Sequence, residues 1–290
     1  MAELLAAFIL NLITIIVFKK QRQLQRRSTY LIIHLAIVDL LVGAVSGPLC
    51  FTPPVTKVSL EYLRSILCRL FPIASVTNLV AISLERLHAT FFPLLHLTAK
   101  SRAYVIAIVA IWVISTSVET IQAFTFQRNL QLVSGIIYFS YFSSVVLIIS
   151  ISYLLICIRV RRSPLLQHQS TAIRTRERRL TNSLIIVTFA SLLTLSPIFI
   201  YAIMQTLFSV PELSLSKLSG LRFFLGVVLS LGLNSSINPV IYSMTNSEFR
   251  AGMARMCHRR HGRLNQIHAI PAYVNPGIFS LKECDRHHLP

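Results

Sequence analysis

Long apolar runs separated by short polar segments constrain the fold of this 290-residue chain more than any other feature, and there are seven of them. They lie near residues 2–18, 29–51, 60–87, 103–125, 132–158, 180–208 and 219–243. A bilayer core about 30 Å thick takes roughly 20 apolar residues per helical crossing, so each run is long enough to cross as a helix. Only 13% of the residues are charged and 54% are hydrophobic, where a soluble domain carries about 25% charge. The predicted fold class is therefore an all-α membrane protein, a seven-transmembrane helix bundle with no length left for a separate soluble domain. The first run starts almost at Met1, which predicts neither an extracellular domain nor a cleavable signal peptide ahead of it.

A net charge of +18 invites a nucleic-acid reading, but the charge is gathered on one side of the predicted spans. Lys19, Lys20, Arg22, Arg26 and Arg27 follow the first, and Lys100 and Arg102 lie between the third and fourth. Arg159, Arg161, Arg162, Arg174, Arg176, Arg178 and Arg179 flank the segment before the sixth. Arg250, Arg255, Arg259, Arg260 and Arg263 follow the seventh, while the opposite loops carry chiefly Lys57, Arg64, Arg128, Lys217 and Arg222. By the positive-inside rule the C-terminus is cytoplasmic and the short N-terminus outside. Setting topology and attracting anionic membrane lipid accounts for most of the charge without any nucleic-acid partner.

Five cysteines do not make a disulfide framework. Cys157 and Cys257 fall on the cytoplasmic side, where thiols stay reduced, and Cys284 lies in the tail. Cys50 and Cys68 fall toward the outer ends of the second and third runs, which permits a bridge between them but does not require one. The one N-x-S/T match, at Asn234, is inside the seventh run, out of reach of glycosylation.

Polar groups inside the runs are costly and therefore informative. Asp39 stands mid-run in Leu35-Ala36-Ile37-Val38-Asp39-Leu40-Leu41 with no base at similar depth in the neighbouring runs. Asn11, Ser75, Asn234, Ser235 and Asn238 fall at comparable depth and supply oxygens for a small cation such as sodium. A protonated Asp39 in a water cluster fits the same spacing equally well. Glu85-Arg86 ends the third run at the cytoplasmic face, where Glu177 opens the sixth. Arg86 can pair with either carboxylate, and releasing a cross-helix pair would free the sixth helix to move. An ordinary interfacial salt bridge, worth under about 1 kcal/mol, is the simpler alternative.

Helix-weakening prolines interrupt the sixth run at Pro197 and the seventh at Pro239 in Asn238-Pro239-Val240-Ile241-Tyr242. Asn238 and Tyr242, four residues apart, share a face. Beyond the seventh run, Phe249, Met253 and Met256 alternate with Arg250 and Arg255 as a short amphipathic eighth helix lying on the membrane. Cys257 at its end is a palmitoylation candidate. Residues 1–257 then form the membrane domain and 258–290 a basic cytoplasmic tail, expected to be disordered.

Taken in order, these features resemble the rhodopsin-like (class A) family of G protein-coupled receptors along nearly the whole chain. The landmarks are Asn11, Leu35-Ala36-Ile37-Val38-Asp39, Ser83-Leu84-Glu85-Arg86-Leu87, Pro93, Trp112, Tyr153, Glu177, Pro197 and Asn238-Pro239-Val240-Ile241-Tyr242. The resemblance implies a receptor that carries an extracellular ligand signal across the plasma membrane to a heterotrimeric G protein. Arg86 would dock the G protein after release from Glu177, with Tyr153 and Tyr242 swinging toward it. Asp39, Ser75, Asn234, Ser235 and Asn238 would form the family's sodium pocket.

Departures from the family concentrate in the outer half. Leu195 stands where a tryptophan is usual, Val145 where a proline is usual and Ser191 where a phenylalanine is common. Glu61 occupies the position of the third-helix cysteine, and the loop around 124–132 has none, so the usual outer disulfide is missing. Lacking that bridge and the fifth-helix proline, the chain resembles the branch containing melanocortin, cannabinoid and lysolipid receptors. Gly232 replaces the lysine that retinal needs, and Cys68 the aspartate of amine receptors, so neither retinal nor a simple monoamine is expected. Leu195, Cys68 and the isolated Glu119 in the outer third of the fourth run are the candidate ligand-pocket residues, although an acid placed like Glu119 more often snorkels or contacts a neighbouring helix.

The alternative function is a non-signalling or decayed receptor acting as a membrane partner, suggested by Leu195, Val145 and Ser191. An enzyme is not expected, since no metal-ligand cluster, nucleophile elbow or phosphate loop is present. A transporter would need an inverted repeat, and none is visible. Arrestin, as a further partner, would lean on Ser163, Ser170, Thr171 or Thr175, because Ser280 is the single serine or threonine after Cys257.

Overall fold

The computed structural model describes residues 2–21, 29–52, 57–98, 100–162, 185–194, 196–197, 200, 217–245 and 249–255. Glu177, Leu195, Cys257, the tail 258–290 and most of the predicted sixth run lie outside them. Helices are the regular structure of the described residues: six of the seven predicted runs are long helical segments, and the sixth is helical over Ile185–Thr194 and again at 196 and 197. The first span is Ala2–Lys20, the third Val58–Phe91, the fourth Ser101–Gln127, the fifth Gln131–Arg162 and the seventh Lys217–Thr245. Each extends a few residues past the apolar run that announced it, because the helical backbone continues through the polar interface before it ends. Five of these helices, the first through the fifth spans, are long and apolar enough to cross a bilayer among the described residues.

The second span is the irregular one. It runs as α-helix over Thr29–Leu41, as π-helix over Val42–Ser46 and as α-helix again over Gly47–Phe51. A π turn accommodates one more residue than an α turn, so everything beyond it is rotated by about 100° relative to an uninterrupted helix. The outer end therefore presents a different face from the one that Asp39 defines. Gly43 and Gly47 sit in this stretch against the first span. A Cβ on Gly43 would stand 2.7 Å from the Leu4 carbonyl oxygen, and one on Gly47 would run into the Leu4 side chain. Small residues let helix backbones approach closely where lipid provides no hydrophobic drive for association.

The third span is the axis of the bundle, packing on the second, fourth and fifth, while the first packs on the second and seventh. The described part of the sixth sits between the fifth and seventh, joined to them through Thr188 and Thr194. Pro72 and Pro239 lie inside the third and seventh helices, which continue through them. A six-residue helix, Pro93–Thr98, follows the third span, an element that hydropathy alone does not announce. Along the fourth span Val105, Ile106, Val109 and Val113 are exposed, a surface that meets lipid once the helix is in a bilayer. Asn129 turns the chain between the fourth and fifth spans with φ 56°, a left-handed conformation that asparagine tolerates. Residues 249–255 are helical as well.

Candidate functional site

Three polar clusters are stacked through the bundle, and the deepest is built on Asp39. Its carboxylate has no solvent exposure. Ser75 on the third span donates to Oδ1 at 2.8 Å, and Asn238 on the seventh donates its Nδ2 to Oδ2 at 2.6 Å. Ser235 stands beside the same carboxylate. Asn11 ties the first span to the seventh, donating to the Ser235 carbonyl at 2.8 Å and to its own Ala7 carbonyl at 2.9 Å. Asn234 is directed differently: its Oδ1 accepts from Thr194 of the sixth span at 3.2 Å. Ser230 also donates to the Thr194 carbonyl. Of the five residues expected around a cation, Asp39, Ser75, Ser235 and Asn238 come together, and Asn234 links the cluster to the sixth span.

The donor set suits a small hard cation. It is made of a carboxylate, hydroxyls and amide oxygens, the ligand type that such ions take, and Asn238 Oδ1 is buried with no protein partner among the described residues.

At the end of the third span that the charge pattern places inside, Arg86 is 3% exposed and locked to its neighbour. Its Nε donates to Glu85 Oε2 at 2.5 Å and its Nη2 to Glu85 Oε1 at 2.6 Å. Glu85 is further held by His96 Nε2 at 3.4 Å, from the six-residue helix, and by the Tyr104 hydroxyl at 3.5 Å. Tyr153 on the fifth span shares a 3.0 Å hydrogen bond with Thr188 on the sixth. Tyr242 on the seventh is buried between Phe18 and Phe249, with ring centroids 6.1 and 6.2 Å away, and its hydroxyl has no partner among the described residues. Of the remaining landmarks, Trp112 packs edge-on to His34 and Phe71, Pro239 is buried, and Pro197 is exposed.

The outer cluster gives Glu119 partners on neighbouring helices. Glu119 is not isolated: it is wholly buried, accepts from Arg69 Nε of the third span at 3.0 Å and from the Tyr138 hydroxyl of the fifth at 2.8 Å. Its charge is met inside the bundle. Below it, Thr77 shares hydrogen bonds with Ser115 of the fourth span at 3.1 Å and with the Tyr141 hydroxyl of the fifth at 2.8 Å. Sequence reasoning missed Arg69, Tyr138, Thr77 and Tyr141, because these pairings join residues on different helices and no spacing along one helix reveals them. The available signal was an arginine inside an apolar run with an acid at similar depth one span later. Cys68, the other candidate pocket residue in the described part, is buried.

Asp39 and Asn238 lie in the deep layer and Glu85 and Arg86 in the inner one. A family model described as 7 transmembrane receptor (rhodopsin family) matches residues 10–242, from just before Asn11 to Tyr242. The chain belongs to the rhodopsin family of seven-transmembrane receptors. It is 27% identical over 277 residues to lysophosphatidic acid receptor 1-B of Xenopus laevis, covering 88% of this chain and 74% of that one. It is 26% identical over 318 residues to neuromedin-U receptor 1 of Rattus norvegicus, covering 87% and 72%. Squid rhodopsin superposes with a TM-score of 0.70 at 19% identity, over 88% of this chain and 82% of that one, so the fold is the rhodopsin seven-helix fold. The similarity to lysophosphatidic acid receptors fits the lysolipid-like branch. As a rhodopsin-family protein the chain is a multi-pass membrane receptor and not an enzyme. Family membership implies an extracellular ligand and a G protein as its partners.

Proposed function

We propose that this rhodopsin-family receptor sits in the plasma membrane with its N-terminus outside, and passes a ligand signal to a heterotrimeric G protein by movement of the sixth span. The observation that carries the reading is the buried Glu85–Arg86 pair, with nitrogen–oxygen distances of 2.5 and 2.6 Å, beside a sixth span whose described residues meet the fifth and seventh through hydroxyl hydrogen bonds. In the resting state Arg86 is held on its own helix and turned away from any cytoplasmic partner. Outward movement of the sixth span breaks the Tyr153–Thr188 and Thr194–Asn234 hydrogen bonds. Tyr153 and Tyr242, whose hydroxyl is without a partner among the described residues, then supply hydroxyls that hold Arg86 in its extended form. The family resemblance would give Glu177, outside the described residues, the part of a second carboxylate for Arg86.

Asp39, Ser75, Ser235 and Asn238 would hold a sodium ion, with Asn234 completing the set from the neighbouring turn. Bound there, the cation supplies the positive charge that a buried carboxylate lacks. These residues draw the second, third and seventh spans together through Asp39, so the cluster favours the resting packing. Arrestin binding through the third inner segment and lipid attachment at Cys257 belong to the same reading.

The competing reading is a receptor that folds without coupling. Ser191 favours it, a buried serine whose hydroxyl has no partner among the described residues where a bulky aromatic usually transmits motion. The two readings separate in cells expressing the chain with a panel of Gα subunits. Basal or ligand-driven signalling that disappears in Arg86→Ala at equal surface expression supports coupling. Silence across the panel, or signalling indifferent to Arg86→Ala, removes it.

A further inference from the structure

The outer ends of the second and third spans approach each other closely at several points. Ser46 donates to the Leu67 carbonyl at 2.9 Å, and Arg64 Nη1 donates to the Leu49 carbonyl at 3.0 Å. Arg64 is itself aimed by Glu61, whose Oε2 accepts from its Nε at 2.8 Å. Glu61 is the residue that replaces the family's usual third-helix cysteine, so a polar clasp now occupies the place where a covalent brace would start. Cys50 and Cys68 are free thiols that directly follow Leu49 and Leu67, the two residues whose carbonyls accept these cross-helix hydrogen bonds.

The approach of these two cysteines follows from local structure. The π turn at Val42–Ser46 rotates the outer end of the second span off the Asp39 face. Pro72 removes the amide that would bond the Cys68 carbonyl in an uninterrupted helix, which loosens the backbone there. Cys50 is partly accessible and Cys68 buried, which sets an order of reaction.

We propose that Cys50 and Cys68 form a disulfide that clamps the outer ends of the second and third spans. The proposal rests on the reading that this end of the bundle faces outside, because the oxidant is a disulfide of the secretory lumen, carried by a small thiol or by an oxidoreductase. The Cys50 thiolate attacks one sulfur of that disulfide, forming a mixed disulfide and expelling one thiolate. The Cys68 thiolate then attacks the Cys50 sulfur of the mixed disulfide, forming the internal bond and expelling the second. The two cysteines lose two electrons and two protons, and the external disulfide gains both as two thiols. The clamp stands in for the missing disulfide: it fixes the third span to the second rather than to the second outer loop, and so leaves that loop free of the entrance to the bundle.

The test uses the full chain taken from cell membranes after thiols have been blocked with iodoacetamide. In an unreduced tryptic digest, the peptides spanning 28–57 and 65–69 are expected joined, lighter by two hydrogens than their sum and separated by reductant. Cys157, on the other face, is expected alkylated in the same sample. Reductant is expected to lower the Tm of the purified wild type and to leave that of the Cys50→Ser, Cys68→Ser double variant unchanged. An epitope inserted at residues 128–129 and probed on intact cells reports the orientation separately. Alkylated Cys50 and Cys68 with the epitope outside overturn the disulfide itself. The epitope inside overturns the orientation reading, and the disulfide with it. Joined peptides with a Tm indifferent to reductant overturn the clamping role.

Discussion

Arg69 of the third span donates its Nε to Glu119 of the fourth at 3.0 Å, and the acid it holds is completely buried. Tyr138 of the fifth span completes the arrangement at 2.8 Å, so one carboxylate joins three helices in the outer half of the bundle. The Arg69 side chain as a whole keeps 39% exposure, although its Nη2 is buried without a partner among the described residues. Glu119 has no such exposure. Losing Arg69 strands the acid, whereas losing both charges together strands nothing.

Thermal unfolding of purified receptor measures that difference. Arg69→Met and Glu119→Gln are each expected to lower Tm. The double variant is expected to be less destabilised than the sum of the two by about 1 kcal/mol or more, the coupling typical of a pair in direct contact. Additive losses would mean that the two residues contribute separately.

The Asp39 cluster predicts a specific response to sodium. A ligand that binds the folded state alone raises stability by mass action. Exchanging choline chloride for sodium chloride at constant ionic strength is therefore expected to raise the Tm of the wild type. Asp39→Asn removes the charge and is expected to abolish the shift, and Asn238→Ala to reduce it. A sodium shift that survives Asp39→Asn would place the ion elsewhere.

Close contact between the first two spans makes Gly43 intolerant of a side chain. The added methyl of Gly43→Ala would meet the Leu4 carbonyl at 2.7 Å and the Phe8 amide nitrogen at 3.1 Å, both backbone atoms that cannot step aside alone. Lower expression and lower Tm are expected. Gly226→Ala is the control, since among the described residues nothing lies within 4 Å of its added carbon. Alanine gains up to about 1 kcal/mol over glycine in a helix, so that change is expected to be neutral or stabilising. Equal effects at the two sites would argue against the close approach.

Tyr242 separates stability from signalling. Its hydroxyl is buried without a partner among the described residues, a cost of roughly 1 kcal/mol or more. Tyr242→Phe keeps the ring against Phe18 and Phe249 and removes that cost. Unchanged or raised Tm together with reduced G protein activation is expected. A fall in both would assign the hydroxyl to the resting packing.

Much of the fold was legible from hydropathy, because crossing a bilayer demands long apolar helices whatever the fold. Asp39, Arg86 and Asn238 were legible for the same reason: polar groups in apolar runs stand out. The pairing of those groups was not. Arg69 beside Arg64 at the outer edge of the third run, and Glu119 one span later, carry no mark of their pairing in the spacing along either run, because the contact between them depends on how two helices face each other. The direction of Asn234 toward Thr194 also depends on packing between helices. The π turn at Val42–Ser46 was invisible for another reason, since its residues are as apolar as those of the α-helix around it.

The central claim is that Arg86 is the residue through which this receptor engages its G protein. Reconstituting purified receptor in nanodiscs with a heterotrimeric G protein and following guanine nucleotide exchange tests it most directly. Wild-type receptor is expected to accelerate exchange over the G protein alone, and correctly folded Arg86→Ala receptor to return it to that background rate. Acceleration that persists in Arg86→Ala would contradict the claim.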